Sequence, residues 1–169
     1  QSRPEFLAIN PNGRIPAIVD HQGPGGRTVS LFESGAILLY LAEKAGGLLP
    51  RDPVERLRAM EYLFLHVASV GPTFGQAGWF LRSTPAPCAI AIERFRGEAL
   101  RLTGALEARL RQQPWLAGSE YSLADIMNFS WLRVANYGGV ELDRFPAVAA
   151  WVATISERPA VKRALARMQ

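Results

Sequence analysis

A proline at the start of a predicted strand marks the first candidate binding site. The segment at residues 12–18 reads NGRIPAI and leads into a short β-branched run that ends at Asp20. Because proline has no N–H to give to a sheet, it belongs at a strand edge. A cis bond between Ile15 and Pro16 would turn the backbone of Ile15 outward, where an extended peptide could pair with it. The residues alone favour a trans bond, since only about 5% of X–Pro bonds in folded proteins are cis.

A glutamate and a serine follow the next predicted strand, at the step from strand to helix. Ser34 stands where an N-cap hydroxyl is expected, and free amides at a helix start attract a carboxylate. Glu33 beside them would accept an ammonium group. The pair therefore suits the zwitterionic end of an amino acid, although a plain N-cap with an acid beside it explains the same residues. Together with the proline motif, it indicates a short peptide that carries a free α-amino-acid end.

The elements that position these motifs are a hairpin and a helix. Strands are predicted at residues 15–20 and 28–32, and the segment between them, HQGPGGR, is rich in turn-forming residues. A lone hairpin is marginally stable in water, and no further strand is evident downstream. We therefore expect the other strands of this sheet to lie before Gln1. A helix is predicted at residues 34–44, and the glycines at positions 46 and 47 should end it.

The rest of the chain has helical periodicity. Asp52 is predicted to cap the next helix, with Pro53 in its first turn and apolar residues at Leu57, Met60, Phe64 and Val67. The Gly71-Pro72 pair should break or bend this helix. A long helix is predicted at about residues 88–112, and residues 122–125 (SLAD) predict a capping box at a helix start. Two more helices are expected, one from Pro146 that stops at Pro159 and a last one after it.

Composition excludes several classes of protein. Hydrophobic residues make up 49% of the 169 residues and charged residues 20%, which is typical of a globular chain and argues against disorder. The net charge of +4 comes mostly from charges that alternate along helices, which solvated helix faces explain better than a nucleic-acid surface. No apolar run is long enough to cross a membrane. One cysteine and two isolated histidines make a metal site improbable, so we expect no metal, nucleic-acid or membrane partner.

Three segments carry a family resemblance. Residues 10–20 (NPNGRIPAIVD), residues 31–41 (LFESGAILLYL) and the box at 122–125 strongly resemble cytosolic glutathione transferases. The resemblance covers essentially the whole chain, and the hairpin with residues 71–76 (GPTFGQ) looks most like the bacterial nu-class, the disulfide-bond reductase type. It implies an α+β fold. A partial thioredoxin-like domain, a β-hairpin plus helices, should occupy residues 1–47, and an all-α C-terminal domain should occupy residues 51–169.

The resemblance also implies residue roles for binding glutathione. Pro16 should follow a cis bond, which overrules the expectation from the residues alone, and the Ile15 backbone should pair with the cysteinyl unit. Glu33 should hold the γ-glutamyl ammonium group, and the hydroxyl and amide of Ser34 should hold its carboxylate. Arg14 stands at a family position near the glycyl carboxylate.

Gln1 resembles a further glutathione contact of the nu-class, and the chain departs from the family pattern just before it. The family's first strand, first helix and second strand would precede Gln1, and they carry the residue that stabilises the glutathione thiolate. We therefore expect no catalytic residue in this chain. If the chain is complete, catalysis should be weak or absent.

Several other side chains are weaker candidates for lining the pocket of a hydrophobic co-substrate. The aromatic ones are Tyr62, Phe74, Trp79 and Phe80, which core or dimer packing explains equally well. Arg133, Asn136 and Tyr137 could approach the same pocket or simply pack at the surface. Cys88 at a helix start is expected to be an ordinary free thiol, and Asp125 a structural cap.

Two functional hypotheses follow. The first is a glutathione-dependent enzyme that conjugates glutathione to a small hydrophobic electrophile or reduces a disulfide with it. The second is a non-catalytic regulatory or scaffold module of the same family, or an inactive truncated fragment. The Glu33-Ser34 pair favours the enzyme, because a scaffold needs no zwitterion site. A homodimer in the cytoplasm is expected from the family and from the single unpaired cysteine.

Overall fold

The computed structural model of the protein describes residues 1–167. Contacts between Cα atoms divide the chain into two compact units, Gln1–Leu49 and a larger unit that begins at Pro50. The smaller unit contains a two-stranded sheet and helices, whereas the secondary structure of the larger one is helical throughout its described residues.

A short hairpin and a helix form most of the smaller unit. Its elements in chain order are α1 (Pro4–Leu7), β1 (Ala17–Asp20), β2 (Val29–Phe32) and α2 (Ser34–Ala45). The strands are antiparallel, and Ala17 lies opposite Phe32. The first strand begins two residues later than predicted, because Pro16 has no N–H for the ladder. The second strand begins one residue later, and α2 ends at Gly46, whose positive φ of 68° suits a glycine C-cap.

A polar cluster joins the hairpin to α2. The Tyr40 hydroxyl donates a 2.6 Å hydrogen bond to Asp20 Oδ2, and Lys44 Nζ donates to the same oxygen. Lys44 also donates to the carbonyl of Gln22 at 2.8 Å. The Lys44 ammonium, followed by the Tyr40 hydroxyl, lowers the pKa of Asp20. This cluster fixes the last turn of α2 against the turn of the hairpin.

The larger unit is a bundle of helices around one core. Its helices are α3 (Pro53–Leu65), α4 (Gly71–Arg82), α5 (Ala89–Leu110), α6 (Leu123–Leu132), α7 (Pro146–Ser156) and α8 (Pro159–Ala166). The long helix predicted at about residues 88–112 is confirmed as α5, and its residues Ala99, Leu102 and Leu106 are at most 1% exposed. They pack in one cluster with Phe74 of α4 and Trp151 of α7.

At the break predicted for Gly71-Pro72 the structure has a widened helical turn just before these two residues. Asp52 caps α3 as predicted, accepting bonds of 2.9 Å from the amides of Val54 and Glu55. Between α3 and α4 the chain stays helical through a π-helical turn, His66–Val70. Pro72 stands in the first turn of α4, where its missing N–H is best tolerated. The widened turn therefore absorbs the proline without ending the helical path.

The apolar positions that the sequence analysis named on α3 do not all face the core. Leu57 and Phe64 are 67% and 64% exposed, whereas Ala59 and Leu63 are buried. Apolar side chains lie on two faces of α3, and the face that packs against α6 holds the smaller residues. Periodicity alone could not distinguish these two faces.

The capping box before α6 is confirmed, and its carboxylate is the centre of a buried network. Asp125 Oδ2 accepts from the amide and hydroxyl of Ser122 at 2.9 and 3.1 Å. Asp125 Oδ1 accepts from the amide of Leu116 at 3.0 Å and from the indole N–H of Trp151 at 2.9 Å. Asp125 is fully buried, so burial raises its pKa while the donors act in the opposite direction. The arrangement makes Asp125 a structural residue, as expected from the sequence.

We predict that Asp125→Ala destabilises the protein by about 3 kcal/mol or more. The substitution leaves the buried donors of Leu116, Ser122 and Trp151 without an acceptor, and each stranded donor costs roughly 1–3 kcal/mol. Urea unfolding measures the change. Asp143→Ala, at an exposed aspartate in a short 3₁₀ turn, is the control and should change stability little. Equal stability of the two variants would contradict this account of the network.

A buried histidine predicts a pH dependence of stability. His66 is 5% exposed, and burial lowers its pKa to about 4 from 6.5, with the neighbouring Asn128 acting weakly in the other direction. The unfolded chain therefore binds more protons between these values. The contribution of His66 is complete above about pH 6.5 and is lost as the pH falls towards 4.

We predict that His66→Gln removes this part of the pH dependence. Between pH 7 and pH 4 the unmodified protein should lose about 3 kcal/mol more of its unfolding free energy than the variant. Urea unfolding at both pH values measures the difference. His21→Gln is the matched control, because it replaces an exposed histidine and leaves the core unchanged. Parallel curves for His66→Gln and the unmodified protein would refute the prediction.

Candidate functional site

The end of the hairpin brings the two chemical motifs of the sequence together. Because Ala17 pairs with Phe32, the residues just outside the ladder, Pro16 and Glu33, lie side by side at one end of the sheet. The Ile15–Pro16 peptide bond is cis, and the side chain of Ile15 is 70% exposed. The backbone edge of Ile15 and the start of α2 are therefore neighbours.

A buried asparagine shapes the loop before this edge. The Nδ2 of Asn10 donates to the carbonyl of Arg14 at 2.5 Å, and its Oδ1 accepts from the amide of Asn12 at 2.9 Å. Asn10 is 2% exposed. It therefore fixes the backbone that leads to Ile15, a positioning role that the sequence analysis missed. The turn-forming segment at residues 10–13 was the available signal, because asparagine side chains often bond the backbone two residues on.

Arg14 lies on the loop that leads to this edge, and the backbone of Gln1, which precedes α1, approaches the same loop. Gly13 between them has a φ of +63°, and a β-carbon built there would lie 3.7 Å from the carbonyl oxygen of Gln1. The backbone of Gln1 is therefore next to the residue that precedes Arg14. Both side chains are exposed, and within residues 1–167 the guanidinium of Arg14 has no hydrogen-bond or ion-pair partner.

Glu33 has an unusual backbone. It is the N-cap residue of α2, with φ 69° and ψ 116°, and Ser34 is the first helical residue. The expected N-cap role of Ser34 is therefore wrong by one position. The amide of Ile37 donates to the carbonyl of Glu33 at 2.9 Å, which starts the helix. A positive φ at a residue other than glycine costs of order 1–3 kcal/mol, and such residues cluster at ligand sites.

The start of α2 presents unpaired donors beside an unpaired carboxylate. As the first helical residues, Ser34 and Gly35 leave their amides without an intrahelical acceptor. In the part of the chain that the structure describes, the Ser34 hydroxyl and the exposed Glu33 carboxylate also have no partner. The helix dipole adds positive potential at the amides. The site can therefore hold an anionic group at Ser34 and a cationic group at Glu33.

The larger unit has a cavity of its own. It measures about 500 Å³ and is lined by Arg82, Trp131, Val134, Asn136 and Tyr137. Arg82 donates to the carbonyls of Tyr137 and Asn136 at 3.3 and 2.8 Å, and its guanidinium lies 5.7 Å from the centre of the Tyr137 ring. Two of the weaker sequence candidates, Asn136 and Tyr137, thus line a cavity. Arg133 is exposed and lies outside this lining.

The four aromatic candidates have different environments. Phe74 is fully buried in the core, and Tyr62 is half-buried beside it. Trp79 is 43% exposed and meets Phe80 edge-on at 4.8 Å, and Phe80 stacks on Phe95 at 5.5 Å. None of these candidates lines the cavity described above. Their main contribution is to packing.

Metal and membrane sites were also sought among residues 1–167. No group of three or more histidine, cysteine, aspartate or glutamate side chains there could hold a metal ion. No helix of the same range is both long and apolar enough to cross a lipid bilayer. Cys88 is an exposed free cysteine just before α5.

Comparison with known proteins finds two matching protein families and a relative that is similar over the whole chain. The glutathione S-transferase N-terminal domain family matches residues 1–43, and the glutathione S-transferase C-terminal domain family matches residues 70–159. The disulfide-bond oxidoreductase YfcG of Escherichia coli (strain K12) is 46% identical over 170 residues, which cover 100% of this chain and 79% of that protein.

Solved structures agree with this match. A glutathione transferase from Burkholderia graminis, crystallised with two glutathione molecules per subunit, superposes with a TM-score of 0.91 at 41% identity, covering 96% of this chain and 70% of its own. A glutathione transferase from Pseudomonas putida, crystallised with one glutathione disulfide per subunit, gives 0.90 at 41% identity, with coverages of 95% and 73%. The chain, with part of a thioredoxin-like domain followed by a helical domain, belongs to the glutathione S-transferase family.

Proposed function

We propose that this protein is a glutathione-dependent enzyme that directs the glutathione thiolate at a disulfide or at an electrophilic carbon. The observation that carries the proposal is the backbone of Glu33. Glu33 has a positive φ and an exposed carboxylate that has no partner within residues 1–167, and it lies next to the free amides of α2 and the edge at Ile15. Backbone strain at this position is explained if the carboxylate has a ligand to hold.

The γ-glutamyl end of glutathione fits the start of α2. Its ammonium group would pair with the carboxylate of Glu33, and its carboxylate would accept from the amide and hydroxyl of Ser34. Charge-assisted hydrogen bonds of this kind are about twice as strong as neutral ones. A simple anion would be attracted by the amide of Ser34 but repelled by the carboxylate of Glu33. A free amino-acid end carries a charge of the right sign for each group, so the site selects it over a simple anion.

The rest of the tripeptide would follow the edge that begins at Pro16. The cysteinyl unit would pair with the backbone of Ile15, as an extended peptide pairs with a free strand edge. Arg14, on the same loop, would face the glycyl carboxylate, and Gln1 would complete this side of the site. These assignments concern binding only.

Relatives support a disulfide as one class of substrate. YfcG is called a disulfide-bond oxidoreductase, and the Pseudomonas putida structure holds glutathione disulfide. In such a reaction the glutathione thiolate attacks one sulfur, a new S–S bond forms as the old one breaks, and the other sulfur leaves as a thiolate. We place this chemistry in the cytosol, where glutathione is reduced and Cys88 would remain a thiol.

We also propose that the protein forms a homodimer through the exposed face of α3. Val54, Leu57 and Phe64 are 63%, 67% and 64% exposed, at helical spacings that align them on one face. Aligned apolar side chains at the surface favour an interface over solvent.

We predict that Glu33→Gln weakens the binding of both reduced glutathione and glutathione disulfide by roughly 10- to 100-fold, because a hydrogen bond to a charged group contributes roughly 1.5–3 kcal/mol. Ser34→Ala should weaken binding less, since its backbone amide remains. Isothermal titration of the complete protein measures both effects. Glu120→Gln removes an exposed carboxylate from a loop of the larger unit and should bind normally.

Two outcomes would overturn the proposal. One is the absence of binding by either titrant below millimolar concentration, and the other is equal affinity of Glu33→Gln and the unmodified protein. Turnover assays of the same proteins with 2-hydroxyethyl disulfide and 1-chloro-2,4-dinitrobenzene then separate disulfide reduction from conjugation. Binding without turnover of any such substrate would support the regulatory module instead.

For the dimer, we predict that Phe64→Glu shifts the protein from dimer to monomer at micromolar concentration, because it places a charge in the centre of the apolar face. Sedimentation or light scattering measures the mass. Gln112→Glu adds the same charge at an exposed position after α5 and should leave the mass unchanged. A monomeric unmodified protein, or a dimeric Phe64→Glu variant, would disprove this interface.

A further inference from the structure

The π-helical turn between α3 and α4 places a histidine in the core of the larger unit. The amide of Gly71 donates to the carbonyl of His66, so the turn holds one more residue than an α-helical turn. Such turns occur often at functional sites. His66 is 5% exposed, although histidine has two ring nitrogens that require partners when buried.

Two buried side-chain atoms in the described part of the chain lack a partner, and they belong to neighbouring residues. These are Nδ1 of His66 and Oδ1 of Asn128. Unpaired polar atoms in a core are expensive, of order 1–3 kcal/mol each. Asn128 bonds the carbonyl of Tyr62, one helical turn before His66, which places the two side chains next to each other.

The orientation of Asn128 is fixed by its other bonds. Its Nδ2 donates to the carbonyl of Tyr62 at 3.0 Å and to the carbonyl of Ala124 at 2.9 Å. Only the NH₂ group of Asn128 can donate these two bonds. The carboxamide oxygen of Asn128 is therefore the atom that faces the imidazole of His66. A carboxamide oxygen is an acceptor only. The complementary proton must therefore stand on Nδ1 of a neutral His66.

The opposite ring nitrogen lies beside the indole of Trp131. A β-carbon built at Gly71 would lie 3.3 Å from His66 Nε2 and 3.4 Å from Trp131 Nε1. Both nitrogens therefore lie next to the position that a side chain at Gly71 would occupy. In the described residues the Trp131 indole N–H makes no hydrogen bond. With the proton on Nδ1, Nε2 carries a lone pair and can accept that hydrogen.

We propose that His66 is a positioning residue, held by Asn128 as the Nδ1–H tautomer, which presents its Nε2 lone pair to the Trp131 indole and so fixes one wall of the cavity in the larger unit. Its effect on any cavity ligand would be indirect, through the ring that it orients. This inference is independent of the proposed glutathione site, which lies in the other unit.

The surface of α4 explains why the orientation of this ring matters. Trp131 lies over Gly71 and Gly75, with ring atoms 3.9 Å from the position of a Gly75 β-carbon, and the Tyr137 ring occupies the space above Gly78. The two rings are 6.0 Å apart, and both line the cavity. Glycines spaced along one face of α4 leave the rings room but provide no polar anchor. A polar anchor at the His66 end would hold the indole in place.

The unmodified protein supplies the first test. The ¹⁵N shifts of the His66 imidazole should show a protonated Nδ1 and an unprotonated Nε2 at neutral pH. The indole signal of Trp131, assigned by its loss in Trp131→Phe, should move as His66 titrates. The charged and titratable side chains on the helices that pack against this turn are Glu55, Arg56, Arg58, Glu61 and Tyr62 on α3, Arg82 on α4, Glu93, Arg94, Arg96, Glu98, Arg101, Glu107 and Arg109 on α5, and Asp125 on α6. Trp151, which donates to Asp125, reports any titration of that carboxylate separately.

A pair of variants supplies the second test. His66→Leu removes both ring functions, whereas His66→Gln keeps one donor and one acceptor. We expect the Trp131 indole hydrogen to exchange with solvent about two- to tenfold faster in His66→Leu, the factor that corresponds to a hydrogen bond of roughly 0.5–1.5 kcal/mol. Exchange in His66→Gln should remain near that of the unmodified protein. The Trp151 indole is the internal control and should be unchanged in both variants.

Three results would overturn the proposal. The first is a proton on Nε2 of His66 at neutral pH. The second is a Trp131 signal that does not respond to the titration of His66. The third is an equal acceleration of exchange at Trp131 and Trp151 in His66→Leu, which would indicate general loosening of the core. Should His66→Leu fail to fold, the two measurements on the unmodified protein still decide the question.

Discussion

The buried carboxylate of Asp125 is the interaction on which the helical unit depends. Burying an ion is unfavourable unless its hydrogen-bonding capacity is used, and Asp125 receives donors from the loop at Leu116, from Ser122 and from Trp151 of α7. One side chain thereby sets the start of α6 and its position relative to α7. The side chains of Asn128 and Trp131 follow on α6, so their placement against α4 depends on this cap.

Other charged side chains also form hydrogen bonds with backbone groups at helix ends and in loops of the bundle. Glu107 of α5 is 5% exposed and accepts the amide of Val148, one of the free donors at the start of α7. Arg109 donates to the carbonyls of Leu116 and Ala117 at 3.0 and 2.9 Å. Both residues satisfy backbone groups that helix ends and loops leave unpaired. Such links give the loops defined positions without a large apolar area of their own.

The sequence predicted what is determined locally. The cap at Asp52, the capping box at Ser122 and the hairpin follow from residues within a few positions of each other. Features that depend on distant partners were missed. The exposure of Leu57 and Phe64 is one such feature, because only the packed fold determines which apolar face of α3 is buried.

The residues of the proposed binding site were indicated by a resemblance, whereas their geometry was not. Nothing local predicts the positive φ of Glu33, since glycine or asparagine would adopt it more readily. The partnership of His66 with Asn128 joins residues on different helices, and a π-helical turn has no reliable signature in the sequence. The turn residues around Asn10 indicated a loop but not the bond to the carbonyl of Arg14.

Polar groups that stabilise this fold have hydrogen-bond partners within it, whereas polar groups that serve function are left without them. Asp125 is buried with all its donors in place, which is the pattern of a residue selected for stability. Glu33 has an unfavourable backbone and a carboxylate that has no partner within residues 1–167, and a stable fold gains nothing from either. Natural proteins break local rules mainly where function requires it. This criterion supports the proposed binding site at the start of α2 and assigns the capping box of α6 to stability.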